Sequence, residues 1–568
     1  MKHNNWKTIG TVLGETNINT YLFMLQSFKA KKNDMVTTQT SIPDGTGKII
    51  KVNVWGKIAS INCSNEWFPR QAAQEMAFQN INVEDTPLPT SRDELICKVN
   101  ILGYTKQDDK EPKLLPMVYP VKPANAVSYP NSSDVEKLLI SDLNSKHPIH
   151  IGTLLARDNV NIKIDADSLV SRHVLVTGMS GSGKTVMVRR IIAELMRLHF
   201  PMIVYDIHGD YLGFVKKQKL FPDNKVKLFY PSLSVKAEDK EIIYTLINKL
   251  GKPLTEPQND YLNTLLNKVK FDETSIIKFL NSLISFSKGL LDTKNSKSKN
   301  SNSMPHIKPA TMFVVNRSLG QVVKKLVNME NTNARHRQRM SKYYDFEKLP
   351  DANTEPEKII SKGQLSILYL RGYETLPASA IVSILSETLF KHRQEVEQQI
   401  PPFLSVLEEG HTLIPSRSEN KDNLPTVETF RKFGSEGRKF CCGIMIVSQR
   451  PSRLDETIAS QCNSHFSFRK KNQKDQRFVR ETSEHYDSED VNQLPSLANG
   501  QGIIGGQVVN FPLAVQVKFD DNLLNDEIGD EDFITAVENW DDKDTVKLRK
   551  KFAKDFSKIS KSAQKRLN

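Results

Sequence analysis

The chain has 568 residues, more than the roughly 250–300 at which one hydrophobic core stops growing, which predicts a large central domain with appended modules. Its formal charge of +13 favours a polyanionic partner such as DNA or RNA, although solvated lysine-rich surfaces account for it equally well. Five scattered cysteines argue against a disulfide framework, which favours the cytoplasm. The sequence lacks an apolar run of about 18–20 residues, which argues against a membrane contact.

The N-terminal part contains short segments in which apolar and polar residues alternate, such as TYLFMLQ and GKIIKVNVWGKIASI, and turn residues separate these segments. This pattern predicts a small β-barrel or sandwich over residues 1–120. A stretch that contains several prolines and serines follows, and we interpret residues 121–148 as a linker.

From residue 149 the pattern changes to apolar runs that alternate with helical segments, as in HVLVTG, PMIVYDIHG and FLSVLEEG. Such alternation predicts an α/β core with a parallel sheet covered by helices, which we assign to 149–520. Helical patterns at about 236–348 predict an insertion in this core. We assign residues 521–568 to a C-terminal tail, which is markedly basic from about residue 540 and which we interpret as a helical brace or a frayed arm.

The segment VTGMSGSGKT lies between an apolar strand pattern and an amphipathic helix pattern, and it matches GxxxxGK(S/T). Glycines allow backbone N–H groups to turn toward phosphate, the lysine reaches the β- and γ-phosphates, and the hydroxyl binds Mg²⁺. We therefore predict ATP and Mg²⁺ as cofactors. The predicted nucleotide-binding residues are Gly178, Ser180, Gly181, Ser182, Gly183, Lys184, Thr185 and Val186, with Thr185 also a metal ligand.

Two glutamates end the strand pattern PFLSVLEEGH, at the edge of a parallel sheet where ligands bind. We assign Glu408 to the water shell of Mg²⁺ and Glu409 to polarising the attacking water. The alternative is a pair of exposed loop glutamates.

Two other strand patterns end in polar residues. Gln449, at the end of GIMIVSQRP, is a candidate for a hydrogen bond to the γ-phosphate or the attacking water, although SQRP also suits a simple turn. Asp206, at the end of PMIVYD, is a further candidate for the metal site.

The order of these motifs, together with GSEGRKF and SQRPSRLDETIASQCN, resembles the HerA family of hexameric DNA-translocating ATPases, relatives of the FtsK-type DNA pumps. The resemblance covers about 149–518, and the N-terminal segment looks like the barrel domain of that family. It implies a RecA-like P-loop fold, a homo-hexamer with ATP between neighbouring subunits, and double-stranded DNA in the centre of the ring.

The same resemblance implies an arginine that one subunit supplies to the γ-phosphate of its neighbour. Arg438 matches the basic position of the family, and a planar guanidinium suits the transferring phosphoryl oxygens. Lys439 and Arg450 remain alternatives. We also expect Arg431 and Lys432 to contact the DNA backbone.

In function, the resemblance implies an ATP-driven DNA translocase or helicase whose barrel docks a nuclease or another effector. Relatives of this kind process DNA ends, or pair with nucleases or sirtuin-type NAD hydrolases in antiviral defence. An alternative is a ring scaffold that assembles and regulates such an effector with little translocation. A third possibility is an ATPase that remodels protein or acts at a conjugation pore.

Overall fold

The chain divides into two compact units in the computed structural model. One unit contains residues 1–191, 449–452 and 462–519, and the other contains residues 192–448 and 453–461. The structure describes residues 6–26, 29–44, 46–65, 70–80, 93–107, 113–141, 145–233, 240–270, 275–295, 307–341, 343–395, 398–420 and 423–518. The predicted basic tail at 521–568 lies outside these residues.

Strands and helices fill most of the described ranges. The strands are β1 (Lys7–Thr16), β2 (Thr20–Leu25), β3 (Met35–Pro43), β4 (Ile49–Ser64), β5 (Glu94–Lys106), β6 (Ala126–Tyr129), β7 (Pro148–Leu154), β8 (Arg157–Asp165), β9 (Val174–Thr177), β10 (Met202–Asp206), β11 (Lys225–Tyr230), β12 (Glu347–Lys348), β13 (Gln364–Tyr369), β14 (Phe403–Leu407), β15 (Cys442–Ser448), β16 (Ser464–Phe468), β17 (Gln501–Gly506) and β18 (Leu513–Val517). The helices are α1 (Arg70–Gln79), α2 (Ser132–Ser141), α3 (Ala166–Ser171), α4 (Lys184–Arg197), α5 (Leu212–Lys216), α6 (Lys240–Leu250), α7 (Glu256–Lys268), α8 (Ile276–Asn295), α9 (Pro309–Met340), α10 (Thr375–Gln394), α11 (Pro425–Glu436), α12 (Glu456–Ser460), α13 (Gln473–Thr482) and α14 (Ser488–Gln493). Among the helices in the described ranges, none is both long and apolar enough to cross a membrane.

The first unit begins with a closed barrel in the order β1-β2-β5-β4-β3-β6, in which all neighbouring strands are antiparallel. Along β5 the side chains alternate, so that Leu95, Cys97 and Val99 point into the core while the intervening residues are half-buried. This period of two is what a strand with one covered face requires. The N-terminal barrel predicted from the sequence is confirmed.

The predicted linker at 121–148 is wrong, because most of it is regular structure. Strand β6 lies within it, pairs with both β1 and β3, and thereby closes the barrel. Helix α2 follows, with Val135 and Leu138 buried. The prolines that suggested a linker stand outside β6, at Pro123 and Pro130, so they mark the limits of a strand rather than an irregular segment.

The rest of the first unit contains a sheet in the order β9-β16-β17-β18-β7-β8. Strands β9 and β16 are parallel, and the other neighbouring pairs are antiparallel. All four residues of β9 are buried. This strand leads directly into the glycine-rich segment and helix α4.

Two buried ion pairs join the barrel to the rest of the first unit. Lys57 of β4 contacts Asp490 of α14 at 2.7 Å, and both side chains are almost completely buried. Arg157 of β8 contacts Asp34, which precedes β3, at 2.5 Å, and its guanidinium also donates to the Met35 carbonyl. Because a buried charge is costly without its partner, each pair ties two parts of the unit together.

The second unit contains a fully parallel sheet in the order β12-β11-β13-β10-β14-β15. Every residue of β10, β13, β14 and β15 is buried, as expected for strands of a parallel sheet with both faces covered. Helices α6 to α9 come between β11 and β12 in the chain and form the predicted helical insertion. The predicted α/β core with a parallel sheet, an N-terminal barrel and a helical insertion is confirmed.

Replacement of Asp490 by alanine tests the buried pair with Lys57. The ammonium of Lys57 would stay buried without its carboxylate, so we expect the free energy of unfolding to fall by about 3–5 kcal/mol. Urea unfolding of the full chain measures this loss. Arg477→Ala is the control, because it removes an ion pair with Glu481 that is exposed to solvent, and we expect no measurable change. Equal stabilities for D490A and R477A would contradict the structural role of the buried pair.

Candidate active site

The predicted site residues are divided between the two units. The residues from Gly178 to Val186 and the half-buried Gln449 belong to the first unit. The acidic residues Asp206, Glu408 and Glu409, and the basic residue Arg438, belong to the second.

The phosphate loop, residues 178–185, connects β9 to α4. Gly183 has a φ of +107°, which glycine adopts far more readily than other residues. A Cβ atom on Gly178 would lie 2.6 Å from both the Oγ of Ser182 and the Cβ of Phe468. Backbone conformation at one position and close packing at the other therefore both require glycine.

Several donors of the phosphate loop converge on one carbonyl. The Met179 oxygen accepts from the backbone N–H of Ser182 at 3.2 Å, from its Oγ at 2.7 Å and from the Nζ of Lys184 at 3.5 Å. Lys184 is only 4% exposed, although it carries a charge. The contact from its Nζ to this carbonyl is long, so this hydrogen bond is a weak one.

The donors at the start of α4 fit a bound nucleotide. The backbone N–H groups of Lys184, Thr185 and Val186 lie in the first turn, where an α-helix provides no acceptors, so they suit phosphate oxygens. The hydroxyl of Thr185 is the type of hard oxygen ligand that Mg²⁺ prefers. Ser180 and Gly181 are exposed in the phosphate loop, while Ser182 is buried.

The acidic residues of the second unit stand at the carboxyl ends of two neighbouring strands. Asp206 is the last residue of β10, and Glu408 directly follows β14. These strands are parallel, with Tyr205 opposite Leu407, so both carboxylates lie at the same edge of the sheet. Asp206, Glu408 and Glu409 are all buried, which excludes the alternative of exposed loop glutamates.

The carboxylate of Asp206 organises the turn that follows β10. It accepts from the backbone N–H groups of Gly209 at 2.7 Å, Asp210 at 3.1 Å and Tyr211 at 3.1 Å. Burial raises the pKa of Asp206 to about 6, and the charge of Asp210 adds to this increase, while the three hydrogen bonds oppose it. The structure thus gives Asp206 a role in holding this turn.

Glu408 accepts a hydrogen bond from the hydroxyl of Tyr211, which is itself fully buried. Burial raises the pKa of Glu408 to about 8, with further increases from Asp210 and Glu409, whereas the Tyr211 hydroxyl lowers it. A nearby cation favours the ionised form of such a carboxyl group. The environment of Glu408 therefore suits a position close to a cation.

Glu409 has an unusual backbone conformation. Its φ of 44° and ψ of 51° lie in the left-handed region, which costs a residue with a side chain roughly 1–3 kcal/mol and is concentrated at functional sites. Its Oε2 lies 3.2 Å from Nδ1 of His411, and the same nitrogen lies 3.2 Å from the Oγ of Ser448 at the end of β15. These contacts fix the direction of the Glu409 carboxylate.

Arg438 lies on a short 3₁₀ turn, Gly437–Phe440, that follows α11. Its side chain is exposed, and it makes no ion pair with any residue in the described part of the chain. The buried Arg393 stabilises this turn, because its guanidinium donates to the carbonyl of Phe440 at 3.0 Å and to that of Ile400 at 2.9 Å. An exposed arginine is thus presented by a well-supported turn.

The residues expected to contact DNA differ in their surroundings. Arg431 forms an ion pair of 2.6 Å with Asp455, whose Oδ1 also caps α12. The Nζ of Lys432 lies 5.7 Å from the centre of the Phe390 ring and is otherwise exposed. Their predicted contact with DNA stays a prediction.

Comparisons with known proteins agree with this geometry. A family model described as "Helicase HerA, central domain" matches residues 149–389. The DNA double-strand break repair helicase HerA of Pyrococcus furiosus is 27% identical over 454 residues, which cover 75% of this chain and 78% of that protein. These matches make the chain similar to HerA helicases, and the family model matches its central part. The Sulfolobus acidocaldarius HerA is 25% identical over 539 residues, which cover 91% of this chain and 94% of that protein.

A solved structure is also similar. VirB4 of Thermoanaerobacter pseudethanolicus aligns with 67% of this chain and 99% of its own, at 11% sequence identity and a TM-score of 0.44.

Two residues of this candidate site were not predicted from the sequence. Tyr211 ends the same YDIHGDY segment that contains Asp206, and His411 ends the EEGH segment that contains the glutamates. Both are short-range neighbours of predicted residues. The available signal is their spacing, since Tyr211 lies five residues after Asp206 and His411 lies two residues after Glu409.

Tyr211→Phe tests the support of Glu408. Loss of the hydroxyl should cost about 1–3 kcal/mol of stability and, because Glu408 loses its orienting donor, lower ATP turnover about tenfold with little change in nucleotide affinity. Tyr205→Phe is the matched control, since its buried hydroxyl contacts Ser386 at 2.7 Å in the same unit. If both variants lower ATP turnover equally, Tyr211 has no specific role toward Glu408.

Proposed function

We propose that this chain is an ATP-driven translocase or helicase that acts on double-stranded DNA as a hexameric ring. The observation that carries the proposal is the similarity to DNA repair helicases named HerA, which extends over three quarters or more of the chain and includes the site region. A formal charge of +13 supports a polyanionic substrate.

The proposed roles follow the chemistry of each side chain. Lys184 binds the β- and γ-phosphates, and Thr185 binds Mg²⁺, which when present neutralises part of the phosphate charge. Glu408 contributes to the water shell of the metal, and Glu409, held by its contact with His411, polarises the attacking water. Gln449 hydrogen-bonds the γ-phosphate or that water, and Asp206 supports the site through the turn after β10.

Arg438 is proposed to act in the site of a neighbouring subunit. Its exposure on a supported turn favours this role, because a side chain that must reach another subunit needs a free head group and a fixed base. A guanidinium can bind several phosphoryl oxygens at once, whereas an ammonium acts as a point charge.

The barrel is the proposed docking site for a nuclease or another effector, in DNA end processing or antiviral defence. The five cysteines are free, which suits the reducing cytoplasm as the proposed location.

ATP turnover with and without duplex DNA tests the proposal, together with an assay of directional movement on DNA. We expect duplex DNA to stimulate turnover. Glu409→Gln should retain nucleotide binding and lower turnover by about 100-fold or more, because the polarising carboxylate is lost. Glu428→Gln, on an exposed position of α11, is the control and should behave as wild type. A chain that hydrolyses ATP slowly, ignores DNA and still activates an effector would be a scaffold instead.

Mixed rings test Arg438. Arg438→Ala subunits should disable the sites of their wild-type neighbours, so activity should fall more steeply than the fraction of variant in the mixture. The same titration with Lys439→Ala, the adjacent exposed residue, should show a proportional loss or none. A proportional decline with R438A would remove the trans role from Arg438, and a steep decline with K439A would transfer it to Lys439.

A further inference from the structure

Lys470, two residues after β16, is a buried lysine with few partners. Lys470 is only 3% exposed, and its Nζ donates to the Phe468 carbonyl at 3.3 Å. Across the described ranges of the chain, no carboxylate lies within ion-pair distance of this ammonium. An ammonium carries three N–H donors, so most of its hydrogen-bonding capacity is unused.

A buried charge of this kind is costly unless something compensates it. The closest acidic influence is Asp475 of α13, but the Oδ1 of that residue accepts from the backbone N–H of Ser452 at 3.2 Å. Burial lowers the pKa of Lys470 to about 7, the charge of Asp475 partly opposes this change, and the charge of Lys184 makes a smaller contribution that lowers the pKa. Within the protein alone, the ammonium lacks an adequate counter-charge.

The position of Lys470 places it beside the phosphate loop. Strand β16 runs parallel to β9, with Ser467 opposite Thr177, so the carboxyl ends of both strands lie at the same edge. The backbone N–H of Met179 donates to the Arg469 carbonyl at 3.0 Å. Phe468, whose carbonyl binds the ammonium, is also the residue against which Gly178 packs.

A buried ammonium with a single weak carbonyl contact is stabilised by an anion that binds next to it. A nucleotide bound at the phosphate loop would provide such an anion, because its phosphates carry several negative charges. Their oxygens are also strong acceptors for ammonium donors.

We propose that Lys470 is a second phosphate-binding lysine, which together with Lys184 binds the phosphates of the nucleotide in the phosphate loop. This inference rests on the proposed binding of ATP at that loop. It assigns a nucleotide contact to the segment directly after β16, which contributes no residue to the predicted motifs. The chain would then surround the phosphates with cations from both α4 and the end of β16.

Lys470→Met in the full-length chain is the deciding variant, because methionine retains much of the apolar stem and removes the charge. We expect ATP affinity to fall about 10- to 100-fold, as for a lost charge-assisted hydrogen bond. The unfolding temperature of the nucleotide-free protein should stay the same or rise, since a poorly compensated buried charge disappears. Titration with ATP and thermal unfolding with and without ATP measure both effects. Lys471→Met, at the next and exposed position, is the matched control and should change neither.

The outcomes separate a ligand contact from a structural role. Weaker ATP binding by K470M with undiminished stability of the free protein supports the proposal. Unchanged ATP affinity overturns it, and so does a parallel loss of stability and affinity, which would make Lys470 a structural residue. Lys184→Ala is measured alongside: if wild type binds no ATP, or if K184A binds it normally, the proposed ATP site itself fails and not only the role of Lys470.

Discussion

The close approach of Gly183 and Gly500 is the constraint on which the phosphate loop depends. A Cβ on Gly183 would lie 2.9 Å from the Cα of Gly500, and the N–H of Gly500 donates to the Ser182 carbonyl at 2.9 Å. Both glycines have positive φ values. A side chain on Gly183 would force the two segments apart, and one on Gly500 would lie 2.8 Å from Nε2 of Gln516. The turn before β17 therefore shapes the loop, although it lies far along the chain.

The segment that carries Gly500 also reaches the barrel. Helix α14 and its N-cap accept three buried or half-buried hydrogen bonds. Asp490 accepts from Lys57 at 2.7 Å, Asp487 accepts from Asn100 at 2.6 Å, and Gln493 accepts from Asn33 at 2.9 Å. The same stretch of chain is bonded to the barrel at one end and to the phosphate loop at the other. The barrel and the phosphate loop are therefore both bonded to this segment, and polar, directional hydrogen bonds fix the position of the segment.

Features whose chemistry is local in sequence could be predicted, and features that depend on tertiary proximity could not. The phosphate loop and the glutamates after β14 were recognisable because a strand, a turn and a fixed set of side chains occur together. Lys470 looked like one of many surface lysines, since its burial arises only when β16 pairs with β9. The ion pair of Arg431 with Asp455 was equally invisible. The alternating strand patterns predicted the barrel, but prolines mark strand limits as well as linkers, so β6 was misassigned.

The four residues of β6 have a practical consequence for work on the barrel alone. A fragment that stops at residue 120 would lack the strand that pairs with both β1 and β3. Two unpaired strand edges would then face solvent, and the cavity left by the buried Val127 would open the core. Open edges recruit strands from other molecules, so such a fragment would aggregate and bind partners indiscriminately.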